Sequence, residues 1–472
     1  MNELTGTRSF FDQPQVQVQQ IAVGKGVPLG IEVVSNPLVG IGGAYGTWGE
    51  GIDNEHLPAL IEQLIGQPLE QHTKMNLSEL GFLYRHHLQG LSPAEQIELE
   101  LEVGTRFLQA ATQACGWQPA EVEGVLIGMT APATTDFCER IAERAGIPAK
   151  AIKVSVHKAC DSSVGGLQLA LNPDEALAER LGQDLAGRLY GKKVLVGGIE
   201  GLSRFMQEAR DTHALQLFGN GAGVFGMIPG ETMKFLVGVT HEVYDEEGVL
   251  AVRMAYPHSR QRAVGQSMIE VSQTGENHIR VAGLMHEPDN EWPVVMAGPM
   301  GMVKLFVRTG VQVLQEAYTA YQRRMAELGR FDKSIALAVV HHANYKINKL
   351  LEKNLTHEIR LPNPAGQLLP RDKNRIAGRL PVFDPLEFPD KGGGACPRLG
   401  RVPGLRNTKF RAIRSDAGGE HGVIRLKGSG PGQGLPDRVT AKIQTEIHAI
   451  PPPEIALPIR IFLVGILNVA IQ

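Results

Sequence analysis

A thiolate that attacks and an imidazole that stabilises developing charge are a minimal kit for covalent acyl chemistry. The chain offers both at places where a strand gives way to a helix. Residues 154–171 read Val-Ser-Val-His-Lys-Ala-Cys-Asp-Ser-Ser-Val-Gly-Gly-Leu-Gln-Leu-Ala-Leu. The first part alternates like a strand; the second sets small and apolar residues at helical spacing, with Val164, Leu167 and Leu171 on one stripe. Cys160 therefore belongs to a strand-to-helix junction, where unpaired N–H groups and the helix dipole favour a thiolate. Taken alone, it reads as well as a buried structural cysteine. The second run changes the balance. The apolar stretch Ile335 to Val340 ends in His341-His342-Ala343-Asn344-Tyr345-Lys346-Ile347, with a helix-like continuation. A cysteine and a histidine at two such junctions, about 180 residues apart, fit a nucleophile and its partner drawn from two halves of one fold.

Two further runs join these: Val194-Leu195-Val196-Gly197-Gly198-Ile199-Glu200-Gly201-Leu202-Ser203-Arg204, and Leu217-Phe218-Gly219-Asn220-Gly221-Ala222-Gly223. With these four blocks, in this order and spacing, the chain resembles the thiolase superfamily, most closely the β-ketoacyl-acyl carrier protein synthase III family. Ala159-Cys160 matches the nucleophile block. His341 to Ile347 matches His-Gln-Ala-Asn-x-Arg-Ile. The other two match a strand ending in Glu-x-x-Ser and Phe-Gly-Asp-Gly-Ala-Gly. The likeness runs from about Val39 to about Leu355.

The resemblance implies an α/β fold, a five-layer αβαβα sandwich of two pseudo-duplicated halves, with a C-terminal part that is atypical. It implies a decarboxylating Claisen condensation. Cys160 would take the acyl group from an acyl-coenzyme A, its backbone N–H would serve as an oxyanion donor, and His341 would polarise the thioester of malonyl-acyl carrier protein. Lys346 stands where the family docks the carrier protein through Arg, keeping the charge without the bidentate fork. Asn344, Gly219, Gly221 and Gly223 are structural neighbours of the site, the glycines read as close packing of the two halves. Asn220 replaces the family's Asp. Gly81-Phe82-Leu83-Tyr84-Arg85 resembles a Gly-Ile-x-x-Arg turn, but Gln71 to Ser78 lacks the Trp and Arg that help hold coenzyme A in the best-known members. His157 lies on the strand side of Ser155 and Ala159 and reads as structural. No metal is expected, and no cofactor beyond coenzyme A thioester substrates. Two other readings stay open: a thiolase-fold acyltransferase or acyl–acyl condensing enzyme, and a non-catalytic or damaged family member.

Composition bounds the rest. A length of 472 residues and 43% hydrophobic content allow an ordinary core, and a net charge of −3 gives no global pull toward nucleic acid or membrane. Cys115, Cys138, Cys160 and Cys396 show neither metal spacing nor a disulfide framework, which suits a reducing cytoplasm. The N-terminus has no basic, apolar leader pattern. The apolar run from Ile455 to Ile471 contains Arg460, Pro458 and Asn468, which argues against a membrane span. The resemblance, not composition, implies a homodimer.

The elements that would position the site follow from periodicity. Residues 1–37 are polar and Gln-rich and read as an extension with little structure; 38–230 form a first half with the nucleophile; 231–363 form a second half with the histidine; 364–472 form an atypical tail. Strands are expected at Leu38–Tyr45, Val122–Met129, Ala151–Val156, Phe235–Thr240, Leu250–Met254 and Ile335–Val340. Helices are expected at Pro93–Cys115, Phe137–Ala145 and Met302–Leu328, the first opened by Ser92 and Glu95 as a capping box. The tail is proline-rich with poor periodicity, which reads as loop or disorder, and lacks the family's Gly-Asn-(Thr or Val)-Ser-Ala motif and final Gly-rich strand. It is either a divergent end or the product of a shifted reading frame.

Overall fold

The two sides of the strands carry two separate cores. In the computed structural model, which describes residues 15–36, 41–80, 82–130, 133–157, 162–204, 212–239, 269–283, 307, 310–329, 337–339, 350, 382–383, 410–413, 425–428 and 461–463, the strands are β1 Gln15–Val23, β2 Val27–Asn36, β3 Ile41–Trp48, β4 Glu50–Asp53, β5 Tyr84–His87, β6 Gly124–Gly128, β7 Ile152–His157, β8 Val194–Gly201, β9 Asn220–Met227, β10 Ile269–Gly275, β11 His278–Gly283, β12 Leu337–Val339, β13 Val382–Phe383, β14 Phe410–Ile413, β15 Arg425–Gly428 and β16 Ile461–Leu463. The helices are α1 Leu57–Ile65, α2 Leu77–Leu80, α3 Pro93–Ala114, α4 Phe137–Arg144, α5 Ser162–Leu171, α6 Glu175–Leu181, α7 Leu185–Leu189, α8 Thr212–Leu217 and α9 Gly310–Glu327.

A nine-stranded sheet runs β1-β2-β3-β9-β8-β6-β7-β11-β10. Its centre is parallel, with β8, β6, β7 and β11 pointing one way; β9 and β3 continue it antiparallel. Side chains alternate across a strand. Val125, Ile127, Leu195 and Ile199 pack in one core with Leu101 and Phe107 of α3 and Phe137 and Ile141 of α4. Leu126, Val154, Val156, Val194 and Val196 pack in another with Leu167 and Leu169 of α5 and Leu185 and Leu189 of α7. The described residues thus build a layered α/β structure, helices on both faces of a mixed sheet. Three of the five expected layers lie here; 240–268 and 284–306, where much of the second half falls, lie outside the described residues.

The capping box forms as expected. Ser92 Oγ accepts from Glu95 N at 3.4 Å, and Glu95 Oε2 accepts from Ser92 N at 2.8 Å. The long helix of the second half is present as α9, described from Gly310 on, with Val311, Leu314, Tyr318, Tyr321 and Met325 buried along one face.

Three expectations need correction. Residues 15–36 are not a loose extension: they form the β1–β2 hairpin, closed by the turn Gly24–Gly26. Leu29, Ile31 and Val33 alternate toward α3 and are buried, while most of β1 stays exposed at the sheet edge. The glutamines that looked loop-like lie on that exposed strand. Next, residues 234–239 form no strand. This apolar run has no ladder partner among the described residues and passes close to α5, Gly238 facing Gln168. The extra strands are β10 and β11, which join the first sheet beside β7; Leu250–Met254 lies outside the described residues. Finally, the tail contains strand. β13 and β16 flank β12 in parallel register, Ala338 opposite Val382 and Phe462, and β14 pairs with β15. Two or three residues suffice for a short parallel ladder, and periodicity over so few residues is illegible. No described helix is long and apolar enough to cross a membrane.

Candidate active site

The carboxyl ends of parallel strands lie along one edge of the sheet, the usual place for a site in such folds. Here β6, β7 and β8 end together: Gly128 is opposite Val156 and Gly198. Met129 N donates to Val156 O at 2.9 Å, carrying β6 past its last pair. β9 starts at the same edge, Asn220 opposite Gly201.

β7 ends at His157 and α5 begins at Ser162. Cys160 falls between them in the sequence; residues 158–161 lie outside the described residues. The seat of α5 is well defined. A Cβ on Gly128 would overlap the backbone of Ser162, and one on Gly198 would overlap Ser163 Oγ. Ser162 Oγ donates to Met129 O at 3.1 Å. Gly166 lies over Leu126, Val156 and Val196. Glycine in β6 and β8 therefore lets the first turn of the helix press onto the sheet. The single stripe expected for α5 is replaced by two buried faces. Gly165, Gly166, Leu169 and Ala170 are buried with Leu167, whereas Val164 and Leu171 are half-buried. A helix held between the sheet and α7 has no solvent face wide enough for a simple stripe.

The Glu-x-x-Ser turn is tied to β9. Asn220 Oδ1 accepts from Ser203 N at 3.0 Å and from Ser203 Oγ at 2.8 Å, and its Nδ2 donates to Trp48 O at 3.2 Å. All three residues are buried. An aspartate could accept the first two bonds but would turn a carboxylate oxygen toward the Trp48 carbonyl. We expect Asn220→Asp to destabilise the protein by about 1–3 kcal/mol, read as a lower urea midpoint with unchanged slope; an unchanged midpoint would show that the Trp48 bond contributes nothing.

The glycines of this block have different neighbours among the described residues. A Cβ on Gly219 would approach His86 N at 2.9 Å and His86 O at 3.0 Å, so this glycine admits β5, an element of the first half rather than the second. Gly221 and Gly223 meet described atoms no nearer than 3.8 and 3.7 Å, which is ordinary contact. Arg85 of the Gly81–Arg85 turn is buried; it donates to Asn54 Oδ1 at 2.7 Å and to Gln216 O, and stacks on Phe82 at 5.6 Å. Gln216 in turn accepts from Met75 N and donates to Thr73 O, both at 2.9 Å, fixing the stretch before that turn.

His157 behaves as the structural histidine expected. It is buried, faces away from α5, and its Nδ1 accepts from Arg280 Nε of β11 at 3.3 Å. Burial, then the Arg280 charge, push its pKa down to about 3, so it is no base for a thiol. Cys115 and Cys138 are equally unsuited as nucleophiles. Burial raises the first to about 11 and the second further. His341, Asn344 and Lys346 lie outside the described residues; β12, ending at Val339, leads to them.

Two buried histidines and Glu200, a half-buried residue whose Oε2 is shielded from solvent, predict two stability limbs. His87 is held at about 4 by burial and then by Arg85, and His157 at about 3. Below a normal histidine pKa the unfolded chain binds protons these rings refuse. Their contribution is full above about pH 6.5 and is lost as pH falls through about 4. Glu200, raised to about 8 chiefly by burial, acts oppositely: its contribution is full below about 4.5 and is lost as pH rises through about 8. Urea midpoints measured across this range should fall on both sides; a flat profile would contradict the burial of these groups.

No protein-family model matches the chain, and no curated protein sequence matches it. Comparison with solved structures finds 3-oxoacyl-[acyl-carrier-protein] synthase III from Aquifex aeolicus, at 17% identity and TM-score 0.40, over 65% of this chain and 77% of that one. The chain resembles 3-oxoacyl-(acyl-carrier-protein) synthase III. The Pseudomonas aeruginosa enzyme of that name matches at 15% identity and TM-score 0.39, over 69% of this chain and 79% of its own. The C-terminal type III polyketide synthase domain of a Dictyostelium type I/III hybrid matches at 11% identity and TM-score 0.44, over 67% and 82%.

Proposed function

We propose that the chain is a thiolase-fold condensing enzyme that joins an acyl group from an acyl-coenzyme A to malonyl-acyl carrier protein. The observation that carries this reading is the junction between β7 and α5. β7 ends at His157 on the carboxyl edge of the parallel strands and the buried first turn of α5 begins at Ser162, and in the sequence Cys160 lies between them. The thiolate of Cys160 attacks the thioester carbonyl, coenzyme A leaves as its thiol, and the acyl group rests on sulfur. The malonyl group then loses CO2, the electron pair of that bond becoming an enolate. His341 stabilises the charge on the thioester oxygen. The enolate carbon attacks the acyl-cysteine and expels the thiolate, leaving a β-ketoacyl thioester. Coenzyme A thioesters are substrates, and no other cofactor is invoked. Lys346 contributes to carrier docking, a homodimer is the working assembly, and the cytoplasm is where the substrates are met.

One feature supports a narrower second reading. The tail lacks the Gly-Asn-type motif that would supply a second donor beside His341, so the chain could be an acyltransferase that acylates Cys160 and passes the group on. One experiment separates the two. The purified protein is incubated with radiolabelled acyl-coenzyme A, with and without malonyl-acyl carrier protein, and both the labelled peptide and the product are identified. Label on Cys160 with a β-ketoacyl product supports condensation. Label on Cys160 without that product supports the acyltransferase. No label on folded protein, or label on Cys115 or Cys138, overturns both.

A further inference from the structure

Strand β1 presents an edge that nothing in its own sequence protects. Edge strands that must stay single are kept short, bulged, or marked with charge or proline, because their outward main-chain groups invite pairing. β1 runs nine residues, Gln-Val-Gln-Val-Gln-Gln-Ile-Ala-Val, with neither charge nor proline. Its register with β2 is unbroken from Gln15 to Val23, and it is the terminal strand of the nine-stranded sheet.

Pro28 shows which way its main chain points. That residue lacks an N–H, and its carbonyl accepts from Gly49 N at 2.9 Å, on the β3 side of β2. Successive residues of a strand turn their N–H and C=O groups to opposite sides. Leu29, Ile31 and Val33 therefore bond to Ile21, Gln19 and Gln17 across the β1–β2 ladder. Val16, Val18, Gln20 and Ala22 turn theirs outward, where no described strand meets them. The same four residues carry their side chains on the face away from α3. Val16 is 46% exposed and Val18 56%, an apolar pair beside those outward groups.

We propose that β1 pairs antiparallel with β1 of a second copy of this chain, about a twofold axis at Gln19. Gln19 is the middle residue of the strand, so the two strands overlap end to end. Val16 then faces the partner subunit's Ala22, and Val18 faces the partner subunit's Gln20. Every outward-turned residue meets another, giving about eight main-chain hydrogen bonds, two for each bonded pair. Val18 also lies diagonally across from the partner subunit's Val18, within reach of side-chain contact. Charge selects a second copy as the occupant. A twofold contact sets each group near its own kind, and like charges across a ladder repel. An uncharged edge can face itself and offers a charged partner nothing. Lys25, at the tip of the hairpin, is held by Glu95 of its own chain. This rests on the homodimer of the proposed function, and not on its chemistry.

The test uses the full chain and variants of the edge. Val18→Lys puts a charge on the edge without touching the core. Val18→Pro removes an outward N–H and leaves the β1–β2 bonds in place. Gln19→Cys sets a thiol opposite its twin in a non-hydrogen-bonded pair, with Cα atoms about 4.5 Å apart and within disulfide reach; Val16→Cys, opposite Ala22, sets it out of reach. Sedimentation over a concentration series should find wild type as a dimer, with a dissociation constant that both Val18 variants raise by at least about tenfold. Under mild oxidation Gln19→Cys should cross-link, whereas wild type and Val16→Cys should not. Amides of Val16, Val18, Gln20 and Ala22 should exchange slowly in the dimer and fast on dilution. If Val18→Pro does not fold, Val18→Lys and the cross-link decide. A dimer that neither Val18 variant weakens and Gln19→Cys does not cross-link overturns this interface and leaves the homodimer standing. A wild type that is monomeric at every concentration overturns both: fast exchange along β1 would then leave the edge to a different partner, and slow exchange would mean that it is covered from within the chain. Acylation of Cys160, read on the same samples, decides the chemistry independently.

Discussion

Cys160→Ser is expected to abolish acyl-enzyme formation, by at least about a thousandfold in rate. The change swaps one atom, so the helix start is spared. A thiol near a helix N-terminus ionises readily and its thiolate is an intrinsically strong nucleophile; a hydroxyl at the same place stays protonated and has no base assigned to it. The seat of α5 on Gly128 and Gly198 is backbone and side-chain packing that a serine leaves intact. The mutant should therefore melt like wild type and fail to accept label. Retained acylation in the mutant would move the nucleophile elsewhere. Cys115 and Cys138 are poor alternatives, because burial raises both thiols above the normal range.

His341→Ala is expected to separate the two half-reactions. Acylation draws on the helix dipole and on the backbone N–H of Cys160, neither of which passes through the imidazole. Condensation needs a donor for the thioester oxygen while CO2 leaves. Removing one such donor costs about a hundredfold to a thousandfold in rate. Acyl-enzyme should form at close to the wild-type rate, and β-ketoacyl product should fall by that factor. Equal loss of both steps would make His341 a base for the thiol instead. In this chain the effect should fall at the upper end, because the tail offers no Gly-Asn-type motif to share the load.

Much of the first half was legible along the chain. The capping box at Ser92, the strand before Cys160, the helix after it, and the long helix of the second half all follow from caps and periodicity, which are local. The errors share a cause. The β1 strand looked like a polar extension because an edge strand buries little; only pairing with β2 makes it a strand. The apolar run after Lys234 looked like a strand and has no ladder to join. Strand identity is a property of the partner as much as of the segment.

The site shows the same division. Residue types and order point to Cys160 and His341, and the alternation of β7 already set His157 on the side of Ser155, where Arg280 now holds it. The roles of Asn220, Arg85 and Gly219 could not be read in the same way. Asn220 acts through Ser203 and the Trp48 carbonyl, Arg85 through Gln216, and Gly219 through β5. Those partners are brought from 17 to 172 residues away. Covalent chemistry is written in residue type and local spacing, so it is visible in one dimension. Hydrogen-bond satisfaction, charge sharing and close approach depend on which strands become neighbours, and no local pattern carries that information.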